Sequence, residues 1–121
     1  MNDVEQHRIW RRQMRNERRI SRTNAKTMLP KILKLKAVLE DKLQQHEIRS
    51  LPTPFVKQLE DDFRMLKEKE ELFMHVIMGD FTNVSDMGDN ATFNTKMKEI
   101  QNALTLLTQM VCAVGKQQLG A

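Results

Sequence analysis

FNTKMKEIQNALTLLTQMVCAVG, residues Phe93–Gly115, is the most regular periodic stretch of the chain. Phe93, Met97, Ile100, Leu104, Leu107, Val111 and Val114 recur at alternating spacings of four and three, the seam of an amphipathic helix. Gly115 is placed to end it, so the spacing predicts a helix over 93–114. The flanks carry a second message. From Ile100 to Gly115 the only ionisable residue is Cys112, and Leu106, Met110 and Ala113 stand off the seam. A surface helix of a small monomer has a polar back, and a dimeric coiled coil carries charge beside its seam. This helix has neither, which predicts that a second copy or a heterologous helical protein covers part of it. The expected association face is Met97, Ile100, Leu104, Leu106, Leu107, Met110, Val111 and Val114, joined by Phe73 and Ile77 from the preceding helix.

That preceding helix is expected over 54–78. Val56, Leu59, Phe63, Leu66, Glu70, Phe73 and Ile77 form its seam, with Thr53 as cap, Pro54 in the first turn and Gly79 after the end. Glu70 is a charge at a core-like position, and Lys36 or Lys42 of the first helix is its expected partner. Residues 79–92 read as a loop, with Phe81, Val84 and Met87 either ordinary loop residues or a docking hook. Upstream, Met28, Leu29, Ile32, Leu33, Leu35, Leu39 and Leu43 predict a helix over 27–48, capped by Thr27 with Pro30 in its first turn. Short connections favour antiparallel neighbours. The expected fold is therefore all-α: a three-helix antiparallel bundle, coiled-coil-like, over residues 25–115, followed by a short polar tail over 116–121.

Residues 1–24 differ in kind. The chain has a net charge of +4, but residues 1–36 hold eleven basic groups against three acidic ones, whereas residues 37–121 hold nine against thirteen. Arg8, Arg11, Arg12, Arg15, Arg18, Arg19 and Arg22 lie within sixteen residues that contain no Lys, while the remainder uses eleven Lys and two Arg. The guanidinium fork grips phosphate or carboxylate bidentately, so the change of residue type is chemical as well as electrostatic. The segment reads as an Arg-rich arm, flexible when free and helical when bound, because Ile9, Trp10 and Met14 bury too little to hold a short helix in water. These seven arginines and Trp10 are the candidate contacts for an anion, either an acidic protein surface or RNA or DNA. Arg18-Arg19-Ile20-Ser21 has the form of a basophilic kinase site, which makes Ser21 a possible phosphosite.

Catalysis finds little footing. The 121 residues include one cysteine, three histidines and four scattered glycines, with no phosphate-cradling loop and no nucleophile–base pair. His75 follows Glu71 by four residues but no second His-bearing face completes a metal site, and Cys112 is expected to be an inert core thiol. No cofactor is expected. No apolar run approaches a membrane span and the N-terminus is polar, so the expected location is intracellular, nuclear or cytoplasmic. The sequence thus points to a non-enzymatic assembly or adaptor protein that oligomerises or joins a complex through its apolar helices. The rival reading is an RNA- or DNA-binding regulator whose bundle dimerises the basic arm.

Overall fold

The computed structural model describes residues 2–119, with side chains as far as Ala113. It is all-helical among the described residues: α1 Asp3–Gln44, α2 His46–Arg49, α3 Thr53–Ile77 and α4 Asn90–Leu119, with one 3₁₀ turn at Val84–Met87 before α4. None of these helices is long and apolar enough to cross a membrane.

The arm and the first predicted helix are one element. α1 runs unbroken for 42 residues, roughly 63 Å at 1.5 Å per residue. Asn2 caps its start, its Oδ1 accepting from the Glu5 N–H at 2.9 Å, and Asp3 and Glu5 face the positive end of the helix dipole. The boundary expected near residue 25 lies inside this helix. Thr27 does not cap; its hydroxyl donates to the Thr23 carbonyl at 3.0 Å, as Thr23 does to Arg19 at 2.9 Å. Pro30 is likewise interior rather than in a first turn, and it leaves the Lys26 carbonyl without its helical N–H. α1 stops at Gln45, which turns to an extended conformation, and Arg49 Nε donates to the freed Leu43 carbonyl at 2.6 Å.

Beyond a tight turn, α3 returns antiparallel to α1. Ala25, Met28, Ile32, Leu35, Leu39 and Leu43 of α1 face Leu59, Leu66, Phe73 and Val76 of α3 in one buried cluster. Each Leu or Ile fully buried there contributes about 1.5–3 kcal/mol. Glu70 sits on the seam and pairs with Lys36, both half-buried, which fixes the register of the two helices. α3 ends in a Schellman arrangement: the Gly79 N–H donates to the Val76 carbonyl at 3.1 Å and the Asp80 N–H to the His75 carbonyl at 2.8 Å. Gly79 has φ +96°, a conformation that favours glycine, so this helix end matches the sequence expectation.

The loop then folds back instead of projecting. Met87 is buried, Phe81 and Val84 pack against the core, and Lys69 Nζ holds the Asp86 carbonyl at 2.6 Å. Asp89 caps α4, accepting from the Thr92 N–H at 2.8 Å and its hydroxyl at 2.6 Å; Asp80 receives the same pair of bonds from Thr82. These hydrogen bonds hold both carboxyls below the ordinary value of 3.8.

α4 packs on the pair formed by α1 and α3. Its first turns meet α3: Phe93 packs edge-on against Phe73, ring centres 5.9 Å apart, and Lys96 Nζ lies 3.9 Å from Asp62. Farther along, Leu104 and Thr105 share a groove with Leu35 and Val38 of α1. Phe73 and Leu35 lie at about the same height of the α1–α3 pair, as the Lys36–Glu70 contact shows. Between Phe93 and Leu104, ~16 Å along its axis, α4 thus touches both helices of the pair. Phe93, Met97, Ile100, Leu104 and Leu107 of α4 are buried against the pair.

Candidate anion-binding face

The height of Phe81 marks where α1 leaves the rest of the molecule. Phe81 is half-buried with its ring under two guanidinium groups, Arg18 at 5.4 Å and Arg22 at 5.7 Å from the centroid. Arg22 Nη2 also approaches Gly79, lying 3.5 Å from where a Cβ would stand there. Residues before Arg18 extend beyond this clamp. From Asp3 to Glu17 only Met14 is partly covered, so about 22 Å of helix protrudes.

Helical geometry sorts the side chains of this protruding rod. At ~100° per residue, Arg8, Arg11, Arg12, Arg15, Arg18, Arg19 and Arg22 fall within a sector of ~120°. Between Arg8 and Arg22 every position in that sector is arginine. All seven are exposed, and among the described residues no carboxylate forms an ion pair with any of them. Arg19 Nη2 donates to Asn16 Oδ1 at 2.8 Å, which steadies the middle of the row. Bringing so many cations onto one face costs Coulomb energy in the free protein, and a polyanion removes that cost.

Trp10 does not belong to this face. It lies ~140° around the helix from Arg15, 54% exposed, with its ring stacked on His7 at 5.8 Å. Trp10 and the arginines, expected as one set of contacts, therefore stand on different sides of the helix. Ser21 is half-buried on the core side of the helix, one residue from the clamped Arg22.

The expected association face divides in two. Met97, Ile100, Leu104, Leu107 and Phe73 are buried by the chain itself, with Ile77 and Val111 packed at the edge of the same core. Only Leu106, at 61% exposure, and Met110, at 47%, are left open; Val114 lies outside the residues whose side chains are described. A helix packed on two others buries its seam against both and leaves its back open, which explains the split. Cys112 is exposed, not a core thiol.

Among the described residues, no three His, Cys, Asp or Glu side chains gather as a metal site. His75 Nδ1 lies 3.4 Å from Asp80 Oδ2, a link to the following turn and not to Glu71. Asp62 is the buried carboxylate that sequence reasoning missed. Its Oδ1 accepts from Gln58 Nε2 at 3.0 Å and faces Lys96 of α4. It stands three residues after Leu59 and four before Leu66, on the buried face of α3, next to the Phe63 of the expected seam. No family model, curated protein or solved structure matches this chain.

Proposed function

We propose that this protein is a non-enzymatic helical assembly module that presents the arginine face of α1 to an anionic polymer. Its rigid base, the α1–α3 pair under α4, holds that face clear of the core. The observation that carries the reading is the all-arginine sector from Arg8 to Arg22, exposed and free of ion pairs among the described residues. The exposed Leu106 and Met110 of α4 support the second half of the role, association with a second copy or another helical protein.

Retention on immobilised heparin, a generic polyanion, tests the first half. The full chain should elute at high salt, and a triple variant Arg12→Gln, Arg15→Gln, Arg19→Gln at markedly lower salt. Equal elution of the two proteins rejects the reading. For the second half, light scattering at micromolar concentration should give a mass above the 14.2 kDa of one chain. The double substitution Leu106→Glu and Met110→Glu should return it to one chain. A parent protein that is already monomeric removes self-association from the proposal.

A further inference from the structure

Resting on that reading, we infer that the polymer taken by the arginine face is a double-stranded nucleic acid, gripped through the phosphates of one strand without contact to its bases.

Three features of the face lead there. First, its composition is unmixed. Protein–protein interfaces centre on apolar or aromatic anchors ringed by charge. Here no apolar side chain interrupts the sector between Arg8 and Arg22. An acidic protein would find charge and no anchor, whereas a phosphate backbone offers charge alone.

Second, the spacing forms a row. Arg8, Arg12, Arg15 and Arg19 lie within ~60° of one another and span about 16 Å along the axis. A strand of B-form duplex carries one phosphate per ~3.4 Å of its axis, so the row covers about five phosphates. Because the arginines occupy only about a third of the circumference, the rod lies against one strand. A helix seated in a groove meets both backbones and needs cations on opposite flanks.

Third, the aromatic ring and the amide nearest the row are turned away from it. Trp10, the one aromatic ring able to stack on an unpaired base, lies ~140° from the row and is occupied by His7. Asn16 lies off the row with its amide oxygen held by Arg19. Single-strand binding draws much of its strength from base–aromatic stacking. This face provides none, so a duplex, whose bases are already stacked, loses nothing by binding here.

Fluorescence anisotropy on the full chain decides the matter, with three probes: a labelled mixed-sequence DNA duplex, a single strand of the same length and polyglutamate. The duplex should bind best, independently of sequence, with log K falling against log salt at a slope of about −3.6 for four phosphate contacts. Arg12→Gln with Arg15→Gln should halve that slope and weaken binding at least tenfold. Trp10→Ala should leave both values unchanged, and circular dichroism of each variant checks that α1 persists. Preference for polyglutamate would overturn the inference in favour of an acidic protein. A tenfold loss in Trp10→Ala, or tighter binding of the single strand, would overturn it in favour of base stacking. Retention on heparin without duplex binding defeats this inference alone; failure to bind either defeats the proposed function as well.

Discussion

The two halves of α1 share one backbone and little else. Ala25 to Leu43 presents a buried residue every three or four positions and is enclosed by α3, α4 and the loop. Asp3 to Glu17 has the same helical hydrogen bonding and buries nothing fully. The first half to be named owes its stability to burial. The other rests on an Asn2 cap, on propagation from a helix already nucleated, and on the clamp at Phe81. Helical form is thus no guide to helical stability along this rod. Charge density and burial have been kept apart, so substitutions in the protruding half should leave folding nearly unchanged while those in the packed half act on it.

The sharpest break in that division would come from paired truncations. Leu39→Ala removes a fully buried side chain and should lower the unfolding free energy by about 2–5 kcal/mol, read by urea denaturation. Trp10→Ala should change it by less than about 0.5 kcal/mol. Comparable losses in the two variants would mean that the protruding half is part of the cooperative unit.

At Pro30, near the middle of α1, the expected change has the opposite sign. Pro30 is exposed, so Pro30→Ala restores a helical N–H without disturbing the core and should stabilise the protein by roughly 1–3 kcal/mol. Lower stability would show that the local geometry around the proline is needed for packing.

A smaller effect is expected at the clamp. Phe81→Ala frees Arg18 and Arg22 and should cost about 1–2 kcal/mol, since each guanidinium–ring contact contributes about 0.5–1 kcal/mol. Amide exchange should quicken chiefly over residues 14–22 and leave Ile32 to Leu43 protected. Uniform quickening would erase the distinction between the two halves.

The smallest effect concerns pH. Asp80 and Asp89 have folded-state pKa values below the ordinary 3.8 because Thr82 and Thr92 donate to their charged forms. Their contribution is fully present above that ordinary value and is lost as pH falls through the depressed folded value. Asp89→Ala should flatten the acid limb of the stability–pH curve and loosen the first turn of α4. An unchanged limb would assign no linkage to this cap.

The seams of α1, α3 and α4 were legible because a buried face repeats every three or four residues and leaves its mark in composition. The Glu70–Lys36 pair and the Gly79 helix end were legible for similar local reasons. Continuity through Thr23 to Pro30 was not. Threonine and proline favour a helix start, but that preference is weak beside twenty residues of helix before Thr23 and fourteen after Pro30. What covers the seam of α4 was hidden too, because heptad spacing says which face is buried and nothing of the neighbour that buries it. Hence the spacing is silent on Asp62, puts Cys112 inside, and assigns to a partner Met97, Ile100, Leu104 and Leu107, which their own chain covers. The arginines were found by residue type. Their confinement to one sector, and the exclusion of Trp10, emerged once the helix was continuous.

Because one uninterrupted helix joins Arg8 to Leu43, the rod works as a lever whose fulcrum is the Phe81 ring. With no proline between Arg8 and Arg22, a load on the outer arginines is carried along the helix to that clamp. Whatever seizes the tip therefore tugs on the fold itself.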